Sequence, residues 1–217
     1  MDQETIHRLM IRGARRGKRV VRLKGGDPFV LGRGGEEALA LAAEGIPCEV
    51  VPGVSSAVAA PALAGIPLTH RGLSSAFLVV SGHAEEAYRP VLASLLPGSL
   101  TLVVLMGLNS RRAIVRLLRD RGWPASTPAA ILFAAASEDA AVWRGALADL
   151  SAADLPEIST GSPGTIVIGE VVSLAEVISP QRAASEAGFT PAERAGGLGD
   201  AAQRPPARQG GRHAGSR

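Results

Sequence analysis

The chain reads as an α/β protein on three observations. β-branched runs alternate with segments of helical apolar period, a glycine-rich string of fifteen residues joins one such run to one such segment, and 46% of the 217 residues are hydrophobic. Asp2 is positioned to cap a first helix that runs to about Arg16, with Ile6, Leu9, Met10 and Ala14 on one face and Gly17 as its stop. Arg19 to Leu23 then reads as a strand, followed by the glycine string and a helix that ends at Gly45. Ile46 to Val51 is a second expected strand, closed by Pro52-Gly53. Ser55 or Ser56 caps an alanine-rich helix ending near Gly65. Ile66 to Ser74 has neither period and reads as a crossing between two lobes.

The second lobe repeats the rhythm. Strands are expected at Ala76–Val80, Leu100–Leu105, Ala129–Phe133 and Thr165–Gly169, with an extended stretch at Ala141–Gly145. Helices are expected at Glu85–Leu95 and Ser110–Arg121, with a short one after Gly145. Parallel pairing is expected to prevail, at least in the first lobe. The chain divides into an N-terminal lobe over 1–71, a C-terminal lobe over 72–178 and a basic tail over 179–217. The tail is too rich in Ala, Gly, Pro, Gln and Arg to bury a core, and disorder is expected there.

Charge and composition exclude several classes of function. The net charge is +3, and the tail alone supplies it, with six arginines against three acids. The rest is neutral, aromatics are 3% of the chain, and nucleic acid is not an expected partner. No apolar run approaches the roughly 20 residues of a membrane span. Cys48 is the single cysteine, so an internal disulfide or a cysteine-rich metal site is ruled out, no metal is expected, and a reducing cytoplasm is the natural compartment. The first lobe shows only two expected strands and opens directly on a helix, which suggests that a leading segment is missing.

Chemistry concentrates in Leu23-Lys24-Gly25-Gly26-Asp27-Pro28-Phe29-Val30-Leu31-Gly32-Arg33-Gly34-Gly35-Glu36-Glu37. Glycines at a strand's carboxyl end let main-chain N–H and C=O groups approach a ligand, while Asp27 and Arg33 add an acceptor and an anion-binding fork. The spacing fits neither the dinucleotide fingerprint nor a P-loop. Arg71 and His83 also lie in or beside loops, where a solvated arginine or a capping histidine is the plainer reading. Met106-Gly107, ending an apolar strand, reads either as core packing or as a backbone contact to a ligand. No nucleophile elbow points to a hydrolase.

The string Gly25 to Glu37, then Val51-Pro52-Gly53-Val54-Ser55-Ser56-Ala57, Gly65-Ile66-Pro67-Leu68-Thr69-His70-Arg71-Gly72, Val80-Ser81-Gly82-His83, Leu102 to Gly107 and Pro163 to Glu170 together resemble the tetrapyrrole methyltransferase family, in particular its uroporphyrinogen-III C-methyltransferases. The resemblance covers about Gln3 to Ile178. It implies a two-lobed α/β fold whose first lobe is here incomplete, a homodimer, S-adenosylmethionine bound in the cleft between lobes, and methylation of uroporphyrinogen III to precorrin-2 for siroheme or cobalamin. By the same resemblance Gly25, Gly26, Asp27, Val30, Ser55, Ser56, Met106 and Ala135 line the cofactor pocket, with Gly164 and Thr165 as further members. It places Arg33, Glu36, Arg71 and His83 on the substrate side. Arginine forks suit a carboxylate-rich ring, and Glu36 or a neutral His83 is a candidate to take the proton lost from carbon. The family's leading strand, its Gly-x-Gly-Pro-Gly-Asp loop and the acid–base segment after it are absent here, so weak or no activity is expected of this chain. The alternatives are a remnant that binds cofactor or tetrapyrrole without turnover, and a methyltransferase of another precorrin.

Overall fold

The computed structural model of the chain describes residues 1–153 and 163–179. The tail expected to be disordered lies, from residue 180 on, outside the described residues.

The opening helix α1 (Gln3–Arg15) forms as its sequence dictates. Asp2 is extended and its Oδ1 accepts from Thr5 N at 2.8 Å, which satisfies one of the unpaired amides of the first turn. Helix α2 (Gly34–Ala43) packs against α1, and α3 (Ser56–Leu63) starts at Ser55, whose Oγ accepts from Ala57 N at 3.2 Å.

The expected strands Arg19–Leu23 and Ile46–Val51 are not strands among the described residues, and the expected parallel pairing of the first lobe is absent with them. A β-branched run favours a pleated conformation but becomes a strand only when a neighbouring chain completes its hydrogen-bond ladder. Among the described residues no backbone ladder reaches either segment, and Val21, Leu23 and Val51 stay 78%, 85% and 74% exposed.

From β1 (Phe77–Ser81) onward the expected rhythm holds to within a residue or two. It continues through α4 (Glu85–Ala93), β2 (Thr101–Leu105), α5 (Arg111–Asp120), β3 (Pro128–Phe133), β4 (Ala141–Ala146), α6 (Leu147–Leu150) and β5 (Gly164–Ile168). A 3₁₀ turn, Glu170–Leu174, and α7 (Ala175–Ile178) follow. The strands form one mixed sheet in the order β1-β2-β5-β3-β4. β1 and β2 are parallel, and β5 enters antiparallel between β2 and β3.

Both faces of the sheet are covered, which is why β2, β3 and β5 are almost uninterrupted in apolar character. On one face Leu102, Val104, Ile131, Phe133, Ile166 and Ile168 pack with Tyr88, Leu92, Ile114, Leu118 and Trp123 of the α4–α5 layer. On the other, Ala130, Leu132 and Val167 meet Ala60, Ala64, Ile66 and Val171, while Val103 and Leu105 meet Ala57. The amino end of α3 is thereby held against the carboxyl end of β2.

Candidate functional site

Asp27 ties the glycine loop to the next one. Its Oδ1 accepts from Phe29 N at 2.8 Å, and its Oδ2 accepts from Gly53 N at 3.1 Å. The hydrogen bonds from the Gly53 and Phe29 amides hold the Asp27 carboxyl below its usual range, so it stays an anion. Gly53 must be glycine: a Cβ there would run into the carbonyl oxygen of Gly26. The position that a Cβ on Gly26 would take is itself 3.5 Å from the Ser55 Cα. Gly26, Asp27, Ser55 and Ser56 are therefore neighbours. Gly25 has open space beside it, and Val30 donates its N–H to Asp27 O at 3.3 Å.

The sheet supplies the other wall through the α3–β2 contact. Ser81 and Leu105 are register partners, so β1 and β2 end side by side. The chain beyond them closes tightly: a Cβ on Gly82 would lie 2.5 Å from Gly107 Cα, and Ser110 Oγ donates to Gly82 O at 2.6 Å. Met106 is half-exposed at this rim with φ 57°. Thr165 pairs with Leu105 and Leu132, and Gly164 pairs with Phe133, so Gly164 and the turn carrying Ala135 share the same sheet end. Thr165 is buried inside the ladder, which leaves Gly164 as the member of that pair at the rim.

Backbone strain marks the same place. Among the described residues the non-glycine positions with left-handed φ are Leu31, Arg33, Met106, Ala134 and Ala136. All of them lie in the glycine loop or at the carboxyl ends of β2 and β3. Such conformations cost about 1 to 2 kcal/mol per L-residue and concentrate where function requires them. Nothing in the sequence announces them, because leucine and alanine carry no turn signal.

The substrate-side candidates separate. Arg33 caps α2 and forms a bidentate pair with Glu36, Nε to Oε1 at 2.9 Å and Nη2 to Oε2 at 2.6 Å. The Arg33 hydrogen bond holds the Glu36 carboxyl below its usual range, which makes it a poorer proton acceptor. His83 is exposed just beyond β1, at the glycine-loop end of the sheet. Arg71 is elsewhere. It sits in the turn where His70 and Ser74 exchange backbone hydrogen bonds, ahead of the amino end of β1. Leu73 and Ser74 line a small hollow there with Leu100, Thr127 and Gly169. The five residues of β1 put roughly 17 Å between Arg71's end of the strand and His83's.

Residues that sequence reasoning passed over brace the loop from below. Glu37 is 5% exposed and receives Lys24 Nζ on both oxygens at 3.1 and 3.0 Å, Arg22 Nε at 3.2 Å and Gln3 Nε2 at 3.0 Å. Burial pushes its carboxyl up, but the bonds from Gln3 and Lys24 and the charges of Lys24 and Arg22 hold it below its usual range. Helical period alone would have exposed this charge; Gln3 of α1 together with Lys24 and Arg22 of the preceding segment enclose it. No cluster of three or more His, Cys, Asp or Glu able to hold a metal ion occurs among the described residues. None of the described helices is long and apolar enough to cross a membrane.

A glycine loop tied to the neighbouring loop at Gly53, together with strained turns past the strand ends of an α/β sheet, defines the class. Residues 1–151 match the family of Tetrapyrrole (Corrin/Porphyrin) Methylases, and the chain belongs to that family. Its particular likeness is to uroporphyrinogen-III C-methyltransferases. It is 42% identical to that of Methanocaldococcus jannaschii, over 79% of this chain and 72% of the relative. The siroheme synthase of Tolumonas auensis is 44% identical over 82% of this chain, which spans 38% of that longer protein. The crystal structure of the Thermus thermophilus uroporphyrin-III C-methyltransferase in complex with S-adenosylhomocysteine superposes with a TM-score of 0.67, at 40% identity, covering 79% of this chain and 75% of that one. The α/β fold read from the motifs thus matches that of tetrapyrrole methyltransferase structures.

Proposed function

We propose that this chain binds S-adenosylmethionine at the glycine-loop rim and methylates carbon atoms of uroporphyrinogen III, giving precorrin-2. The observation that carries this reading is that the left-handed L-residues described lie either in the glycine loop or just past the carboxyl ends of β2 and β3. The residues fit the cofactor. Gly25 and Gly26 offer bare backbone, Ser56 a hydroxyl, Val30 and Met106 apolar surface, and Ala135 and Gly164 small boundaries.

S-adenosylmethionine supplies a methyl group on a positively charged sulfur, already activated for transfer to a nucleophilic carbon. The protein's work is alignment and exclusion of water. Asp27 acts by holding two loops in register, since both its oxygens are engaged by amides. Arg33 keeps Glu36 on its Nε and Nη2 and presents Nη1 to a substrate carboxylate. His83, at the same sheet end, is better suited than Glu36 to take the proton released from carbon. Arg71, at the far end of β1, is outside this scheme. The family likeness also supports a homodimer, which sedimentation would test.

A second reading, cofactor binding without turnover, is favoured by the segments at 19–23 and 46–51, which directly precede the loops of the site in sequence and form no strand. Calorimetry with S-adenosylhomocysteine followed by transfer of labelled methyl to uroporphyrinogen III separates the two. Binding with transfer supports the first reading, and binding alone supports the second. Absence of binding overturns both. Transfer to a later precorrin with none to uroporphyrinogen would redirect the substrate assignment.

A further inference from the structure

The glycine loop is fastened at three levels. At its apex Asp27 holds Gly53, and at its waist Gly34 N donates to Pro28 O at 2.9 Å. At its base Lys24, the last residue before the glycines, meets Glu37 on α2, 13 residues later. The Lys24 side chain is only 11% exposed, and its stem runs under the loop, where a Cβ on Gly32 would touch Lys24 Cε at 3.5 Å. The waist closure is made by main chain, and the apex joins the loop to a neighbouring one. The base closure fixes where the loop begins relative to the helix on which it ends; its buried member is the Lys24–Glu37 pair, with the more exposed Arg22 also reaching Glu37 Oε1 at 3.2 Å.

Burial makes that choice informative. A buried ion pair gains little stability over apolar residues of similar volume, because desolvation offsets the attraction. It does restrict geometry, since two charges that have lost water must meet in one arrangement. Glu36, one residue away, is solvent-exposed and pairs with Arg33 above the loop. The adjacent acids are therefore divided between two tasks: Glu36 engages the fork on the substrate side, and Glu37 engages the root of the loop.

We propose that Lys24 and Glu37 are positioning residues for the cofactor: their pair sets the register of the main chain from Gly25 to Gly32, and neither touches cofactor or substrate. The proposal rests on the reading that this loop holds S-adenosylmethionine. Its signature is a rise in cofactor KM and Kd with kcat at saturating cofactor largely kept.

The test replaces the pair by apolar residues of similar length, Lys24→Met with Glu37→Met, in the full chain. The thermal midpoint is expected to stay near that of the parent, while S-adenosylhomocysteine binding weakens by about tenfold or more. Amide exchange at Phe29, Val30 and Gly34 should quicken by about tenfold, with Leu102 to Leu105 unchanged. Lys24→Arg, which keeps the charge, should restore binding to within about threefold of the parent. Should the double variant not fold, Glu37→Asp keeps both charges and shortens the reach, with the same changes expected at smaller amplitude. Unchanged loop exchange and unchanged affinity in the folded variant would overturn the proposal. A parent chain that binds no S-adenosyl compound would overturn the functional reading instead, and loop exchange would still decide the role of the pair.

Discussion

Asp27 Oδ2 accepts the backbone N–H of Gly53 across 3.1 Å and 26 residues of chain, so one carboxylate joins the two loops that form the rim of the site. Among the described residues no second side chain bridges those loops by a hydrogen bond, and replacing Asp27 tests the rim directly. Asp27→Ala should weaken S-adenosylhomocysteine binding by about tenfold or more, as expected when the one carboxylate joining the two loops loses both its amide hydrogen bonds. Isothermal calorimetry measures it, and unaltered affinity would remove Asp27 from the rim.

The same carboxylate sets an acid limit. Its folded-state pKa is depressed by the amides of Gly53 and Phe29. The contribution is therefore fully present above the unfolded value of about 3.9 and fades only as pH falls through the lower folded value. Cofactor affinity should show no loss attributable to Asp27 between pH 8 and about pH 5. A titration midpoint near neutrality that vanishes in Asp27→Asn would contradict this.

Gly53→Ala places a methyl group against the carbonyl of Gly26, where no relaxation of a flexible side chain can relieve it. The loops must separate. Misplacement by about 1 Å can cost on the order of a hundredfold in rate, so turnover should fall by at least about tenfold. Circular dichroism is expected to be unchanged.

Arg33 and Glu36 should separate kinetically. Arg33→Ala is expected to raise the KM for uroporphyrinogen by roughly tenfold with a smaller change in kcat, the pattern of lost ground-state binding. Glu36→Gln should leave kcat within about threefold, because a carboxylate held below its usual range by Arg33 is a weak base. Collapse of kcat in Glu36→Gln would restore it as the proton acceptor over His83.

The open segments predict association. Val21 and Val51 are exposed, apolar and β-branched, on stretches without a ladder. Val21→Thr with Val51→Thr should reduce binding of a hydrophobic dye and raise the concentration at which the chain aggregates, while the thermal midpoint moves by no more than about 2 °C. By contrast, Ile131→Ala in the fully buried centre of the sheet should cost about 2 to 5 kcal/mol in denaturant unfolding.

Local rules carried most of the fold. Asp2 and Ser55 are caps by chemistry, and the apolar runs from Leu102 to Leu105 and from Ile166 to Ile168 could only be interior strands. The glycine string also identified the candidate site, because so many small residues beside an acid and an arginine leave main chain as the ligand-facing surface. What the sequence by itself determined was therefore the identity of the elements, the loop and the family. Tertiary structure decided the rest. Arg19–Leu23 and Ile46–Val51 have strand composition but no ladder, because a strand is a property of two chains in contact. Arg71 and His83 are close in sequence, yet β1 holds them at opposite ends of the sheet. Glu36 and Glu37 are adjacent and alike, and it is the packing of α2 on α1 and on the 22–24 segment that leaves one exposed and buries the other against Lys24, since burial depends on what lies across the interface.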